Sequence, residues 1–432
     1  MPPEISASRP VALQFRSSYW FVTAVIGLGI ATDLFVYSLI IPVIPFQLER
    51  LHYQHVSGLT GLLLFANAIG MVIFTVPVAI FSERYNTRRS PLIAGLILLI
   101  GSQALFMEAP NYPGFGSTMV WVIGLALLCD STPAHAVGTQ LGFAMSGFAI
   151  GFLVGPPIGG AIYKRFGFRG PFDALRWGVD PAAISVIDNK DGHPLEPRPV
   201  STEPAPADGT PPRISLAGVI GKLSQSTRAI VVMTITLFYG IIYSAQEPTL
   251  PLHLQKIWKL DSSKVGLVYL AGVLPTLVSS PLSGFFVDRH GVEWPTVLCI
   301  AAAIPWWALM VVQHQLPLFI VAYALGAFCI SGVISPVMAE FAAVARGIDG
   351  VGCEPYFCRL RTFDSCSDGH VYGAFNLVYG IGTSLGPILG GQIYTHSHGW
   401  EYINICSVAL LFGALIITFA YTGDRPLLTR FV

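Results

Sequence analysis

Residues Gly142 to Tyr163 read GFAMSGFAIGFLVGPPIGGAIY. A run this long and this apolar reads as a hydrophobic helix with one internal proline step. Its small residues are placed, not scattered. Gly151, Gly155 and Gly159 stand four apart, so they share one helical face, where a second backbone can approach closely. The same arrangement returns 231 residues later: Gly373, Gly382, Gly386, Pro387, Gly390 and Gly391 match Gly142, Gly151, Gly155, Pro156, Gly159 and Gly160, and Tyr394 matches Tyr163. Six matched positions in register predict two related halves inside a membrane.

Composition agrees. The 432 residues are 53% hydrophobic and only 11% charged, with mean hydropathy +0.63, whereas soluble domains carry about 25% charged residues. The formal net charge is zero, which argues against nucleic acid as a partner. The seven cysteines form no C-x-x-C pair, so neither a zinc site, a redox motif nor a disulfide framework is implied. No cofactor or metal is expected. There is no GxxxxGK[ST] loop and no nucleophile elbow, so ATP-driven transport and hydrolysis lack support and the chain is expected not to be an enzyme.

Apolar runs of spanning length fall at 19–43, 58–80, 91–108, 114–137 and 138–163, then at 229–250, 264–287, 293–312, 317–341, 371–395 and 401–422. The first is too long and too late for a cleaved signal and reads as a membrane helix. Residues 1–172 are thus expected to form one transmembrane half and 229–432 the other. Between them, 173–228 holds a proline- and acid-containing tract that reads as a cytoplasmic linker. The tally is five spans and then six, so one span of the first half is missing from the pattern. Residues 171–187 could insert in its place, but Asp173, Arg176 and Asp180 would each cost about 2.5–3.5 kcal/mol at the bilayer centre. A second irregularity, 352–369, carries three cysteines at no metal spacing and reads as an inserted loop. Lysine and arginine placement favours an internal amino terminus, although Lys164, Arg165 and Arg169 then fall outside.

A second repeat sits earlier in each half. Pro42-Val-Ile-Pro45 recurs as Pro248-Thr-Leu-Pro251, and Phe81-Ser-Glu83-Arg84 as Phe286-Val-Asp288-Arg289, at offsets of 206 and 205. With these residues in hand, the chain resembles the major facilitator superfamily, specifically its drug:proton antiporter branch and the vesicular amine transporter-like fungal members. The G-x8-G-x3-GP-x2-GG pattern resembles that branch's antiporter motif and is complete in both halves. The loop after the second helix, FSERYNTRR, keeps Arg84, Arg88 and Arg89 but has Glu83 for aspartate and Asn86 for glycine. Asp33-Leu-Phe-Val-Tyr37 with Pro42 is similar to the first-helix pattern. The fourth helix lacks the usual arginine and Q-G pair. Where vesicular amine transporters carry a lysine and two acids, this chain has Ala68, Ser331 and Asn376. The resemblance implies an all-α polytopic membrane protein of two pseudo-symmetric six-helix halves that works by alternating access.

Ionisable groups inside apolar spans are functional candidates. Asp33 and Glu247 are the candidates for proton or cation handling, while Asn67, Tyr243, Gln246 and Asn376 are candidates for lining a cavity. Packing is the competing account for each, and Glu247 could also lie at the outer boundary as a solvated charge. The resemblance further implies an inner charge latch of Glu83, Arg84, Arg88 and Asp130 in one half and Asp288, Arg289 and Glu340 in the other. The expected activity is proton-coupled efflux of a small organic or cationic amphipathic compound by a monomer in the plasma or vacuolar membrane. A nutrient symporter or facilitator, a non-transporting sensor and an inactive variant are the alternatives.

Overall fold

The computed structural model describes residues 19–85, 137–167, 221, 223–346 and 368–423. They form helices only: α1 (Tyr19–Ile40), α2 (Val43–Arg50), α3 (Val56–Tyr85), α4 (Val137–Phe166), α5 (Thr227–Ala245), α6 (Leu250–Trp258), α7 (Ser262–Val273), α8 (Thr276–His290), α9 (Glu293–Leu309), α10 (Leu316–Ser331), α11 (Ile334–Arg346), α12 (Asp368–Tyr394) and α13 (Gly399–Tyr421). Among the described residues, five helices or end-to-end helix pairs are long and apolar enough to cross a membrane, including Gly27–Arg50, Thr227–Trp258 and Gly399–Tyr421.

Several spans are broken in two, and the sequence says where. Pro42 follows the end of α1, Pro248 lies between α5 and α6, and Pro275 lies between α7 and α8. Proline has no N–H to continue the ladder and its ring clashes with the preceding turn. At the α5–α6 break the chain tightens rather than unravels: Glu247 N bonds Ser244 O at 3.2 Å, and Thr249 N and Leu250 N both bond Gln246 O, at 3.1 and 2.8 Å. The freed carbonyl of Glu247 accepts the Tyr269 hydroxyl at 3.2 Å. Backbone groups released inside a membrane must find such partners. The starts of α5 and α7 are capped by side chains, with Ser226 accepting from Ala229 N and Asp261 from Lys264 N.

The glycine repeat is realised as two equivalent pairs of crossings. Within each half the glycine helix lies on the broken one: a Cβ on Gly151 would meet the carbonyl of Ala31, and one on Gly155 would strike the Ser38 hydroxyl of α1. In the second half a Cβ on Gly382 would come within 2.7 Å of Leu237 O, and one on Gly386 would strike the Ser244 hydroxyl of α5. Ser38 and Ser244 are 206 positions apart, the offset of the proline pairs. Between the halves, Gly160 of α4 meets the Ser262 carbonyl of α7, while Gly391 of α12 meets Ser57 of α3. Gly266 likewise rests on the Pro156 carbonyl and Gly61 on that of Pro387.

These cross-half contacts all lie toward one end of the bundle, the end bearing α2, α6 and the last turns of α4 and α12. Polar bridges reinforce it: Lys164 Nζ reaches Asp261 Oδ2 at 2.6 Å, Gln255 Nε2 donates to Glu49 Oε2 at 2.5 Å, and Ser262 Oγ donates to Gly160 O at 3.0 Å.

The described helices cover the expected spans at 58–80 and 138–163 and all six of the second half, with 19–43 forming α1 and the start of α2. The expected span at 91–108 and, except for residue 137, that at 114–137 lie outside the described residues, as do most of the linker and the inserted loop as far as 367. So does the question of a sixth span in the first half. The end of the expected linker is described: Leu223 is fully buried and α5 begins at Thr227. Those residues pack with the second half.

Candidate functional site

The α5–α6 break turns Glu247 into the interior. The residue is only 5% exposed, and the Tyr37 hydroxyl, arriving from α1 of the other half, donates to its Oε2 at 2.7 Å. No lysine, arginine or histidine among the described residues pairs with this carboxylate. A buried carboxylate with no countercharge among the described residues is a candidate for taking up a proton or a cation.

Aromatic rings enclose it. Phe152 of α4 stands edge-on to both Tyr37 (centroids 6.0 Å) and Tyr243 (6.3 Å). Tyr243 stacks on Tyr239 at 6.1 Å, and Tyr239 meets Tyr379 of α12 at 6.0 Å. Tyr269 and Tyr323 complete the wall. A Cβ at Gly272 would collide with the Tyr323 ring, so the glycine lets that ring lie against α7. Aromatic rings around one carboxylate are surroundings that suit an organic cation, which a ring face turned toward it attracts by about 0.5–2 kcal/mol. Tyr243, Gln246, Glu247, Tyr269, Trp307 and Tyr323, with Phe152 from the opposite half, line a cavity of about 20 Å³, room for about one water molecule. In this conformation the box is shut.

The other expected residues fall as follows. Asp33 is buried on α1, one turn before Tyr37 and on its face. Gln246 is buried, and its Nε2 donates to Asn404 Oδ1 of α13 at 3.3 Å. Asn67 and Asn376 are half-buried on α3 and α12. Gly142 and Gly373 lie near the starts of α4 and α12.

Two residues of the expected second-half charge latch, Glu340 and Arg289, make other contacts. Glu340 does not meet Arg289. It is 2% exposed and accepts from Arg228 Nε at 2.9 Å, from Arg228 Nη2 at 2.7 Å and from the backbone of Gly423 at 3.1 Å. Arg289, exposed in the last turn of α8, lays its guanidinium over Phe285 one turn back, 4.1 Å from the ring centroid. The reason is geometric: α11 packs against α5, which brings the α5 amino-terminal arginine to Glu340. Glu83 and Arg84 lie in the last turns of α3 and Asp288 near the end of α8. Arg88 and Asp130 lie outside the described residues.

Reading the sequence did not single out Tyr239, Tyr269, Tyr323 or Trp307. Tyrosine and tryptophan in apolar helices look the same whether they pack or line a site. Tyr37 carried a signal, standing four residues after Asp33.

The sequence profile of the Major Facilitator Superfamily matches residues 26–173 and 232–431. An MFS-type transporter of Schizosaccharomyces pombe is 25% identical over 457 residues, covering 95% of this chain and 97% of its own. The human chromaffin granule amine transporter is 26% identical over 316 residues, 70% of this chain and 54% of that protein. A bacterial homologue of the human lysosomal transporter Spinster, solved inward-facing and unoccupied, superposes with a TM-score of 0.68 at 12% identity, covering 93% of this chain and 96% of that one.

Proposed function

The chain belongs to the Major Facilitator Superfamily, a multi-pass membrane protein family of transporters, and from that premise we propose that it exports a small organic cation in exchange for protons by alternating access. One observation carries this reading: Glu247 is a buried carboxylate between the halves, set among aromatic side chains and bonded across the halves by Tyr37. A proton and a cationic cargo compete for such a group. Loading one displaces the other, which is the coupling an exchanger needs.

With the amino terminus inside, the sealed end faces outward and the described conformation is the inward-facing one, the state named for the Spinster homologue. Phe152 then works as a lid from the first half, and cargo enters the box when that half swings away. Asp33, on the face of α1 that carries Tyr37, is the second candidate for cation or proton handling. The carrier acts as a monomer, moves its cargo without bond chemistry, and resides in the plasma or vacuolar membrane.

Purified protein in liposomes with an acidic interior tests the reading. N-methyl-4-phenylpyridinium, an organic cation, is expected to accumulate, and accumulation is expected to stop when the gradient is dissipated or when Glu247→Gln replaces the wild type. Gradient-driven uptake by Glu247→Gln at the wild-type rate would refute the assignment. Accumulation only with the gradient reversed would make the protein a symporter.

A further inference from the structure

A second cavity lies at the sealed end, away from Glu247. It measures about 450 Å³, within the range of small-molecule sites. Both halves line it, with Glu49, His55 and Ser57 from the first and Gln255, Lys256 and Lys259 from the second. Its charges do not balance. Lys256 and Lys259 stand three positions apart where α6 ends, and two like charges sharing one cavity repel. Neither ammonium makes an ion pair or hydrogen bond with another described residue. Glu49, the one carboxylate among the lining residues, is already engaged by Gln255 Nε2 at 2.5 Å.

The backbone adds a second observation. Lys259 closes α6 at φ 54° and ψ 34°, the left-handed conformation in which glycine, and less often asparagine, ends a helix. His55, on the opposite wall, is left-handed too, with φ 54°. Side chains held in this conformation cluster at ligand clamps and switch regions. Here two positions suited to glycine carry a cation and an imidazole, one from each half, and both line one cavity.

We propose that this cavity binds a doubly charged oxyanion, a phosphate or phosphate monoester, held by Lys256 and Lys259 of one half and His55 of the other. Because both halves contribute, the site is complete only while that end is closed. The bound anion therefore holds the seam shut by favouring the closed conformation. It is a regulator and not cargo. The proposal needs the two halves and their seam, and does not rest on Glu247 as the cation site.

Thermal melting of the full-length protein in neutral detergent, in sodium phosphate against sodium chloride of equal ionic strength, reads binding. Phosphate is expected to raise the midpoint of the wild type and to leave that of Lys256→Gln with Lys259→Gln unmoved. Lys256→Arg with Lys259→Arg, which keeps both charges, should respond like the wild type. So should Lys264→Gln, which removes an exposed lysine outside the cavity. Spin labels at Arg165 and Lys264, exposed on either side of the seam, read the clamp: at phosphate ten times its dissociation constant the closed-to-open ratio should rise about tenfold. Phosphatidylcholine nanodiscs with and without phosphatidic acid separate the two sources of the group. Stabilisation by that lipid but not by free phosphate, lost in the glutamine pair, assigns the site to a headgroup. No response of the wild type to either source, or an equal response in the glutamine pair, overturns the site. A raised midpoint with unchanged label distances overturns the clamp.

Discussion

Gly160→Ala separates the seam between the halves from the packing within them. The added Cβ would strike the carbonyl oxygen of Ser262 and come within 2.8 Å of its carbon and 3.2 Å of Ser263 Cα. All of these are backbone atoms, so no rotamer change relieves the collision and α4 must move off α7. Overpacking of this kind costs about 1–3 kcal/mol. The cost falls only on the conformation with the seam closed, so the closed-to-open ratio should drop by about 5- to 150-fold. Spin labels at Arg165 and Lys264, both exposed beside the seam, report it through their distance distribution in a background without native cysteines. Gly160→Ala should shift weight to longer distances, and Gly391→Ala, which meets Ser57 O at 2.5 Å, should open the symmetric crossing and shift it likewise. Gly155→Ala is the control, because its collision is with Ser38 and Leu39 of its own half. It should lower thermal stability and leave the distances alone. A wild-type distribution in Gly160→Ala, or an equal shift in Gly155→Ala, would refute the assignment of the seam.

Tyr37→Phe removes a hydrogen bond to a charged group that also ties the halves together, worth about 1.5–3 kcal/mol. The same label pair should lengthen, and an unchanged distribution would count against it. Arg228→Ala leaves Glu340 buried without its cation and should destabilise the protein by about 3–5 kcal/mol in detergent melts, whereas Arg228→Met with Glu340→Leu should recover most of that loss; equal melting of the single and double variants would remove the pair from the account. The Lys164 ammonium, followed by the backbone N–H of Lys264, holds the Asp261 carboxyl below its ordinary range. The bridge therefore contributes fully above about pH 4 and is lost as pH falls through the lowered value. Both partners are exposed, so the contribution is at most about 1 kcal/mol. Asp261→Asn keeps the helix cap and should loosen the seam at pH 7 by no more than about fivefold, with the difference from wild type narrowing toward pH 3. A difference that persists unchanged in acid would mean the bridge is not its source.

Local rules carried far in this chain. Glycines four apart and their echo at 231 marked two related halves, and the structure places both sets at backbone crossings. Pro42 and Pro248, paired by the repeat, stand at span breaks, as does Pro275, because a missing N–H acts on its own helix. A lone acid in an apolar run marked Glu247. What stayed hidden depends on distant partners. Nothing in the sequence ties Tyr37 to a carboxylate 210 positions away, or distinguishes Trp307 from a packing residue. Arg228 read as the last charge of a linker. Only the packing of α11 on α5 makes it the partner of Glu340, and the same packing leaves Arg289 to lie on Phe285 instead.

The seam has a thermodynamic consequence. A crevice lined with leucines would expose apolar area to water as it opened, at about 25 cal/mol per Å². Here the surfaces that part are glycine α-carbons, peptide carbonyls and the serines at 57 and 262, groups that water solvates readily. In the proposed cycle, such a lining lowers the cost of opening at these crossings relative to a leucine-lined crevice. A proton moving down one pH unit releases about 1.4 kcal/mol, so under the proposed exchange a gap of that order is one such a proton could tip in either direction.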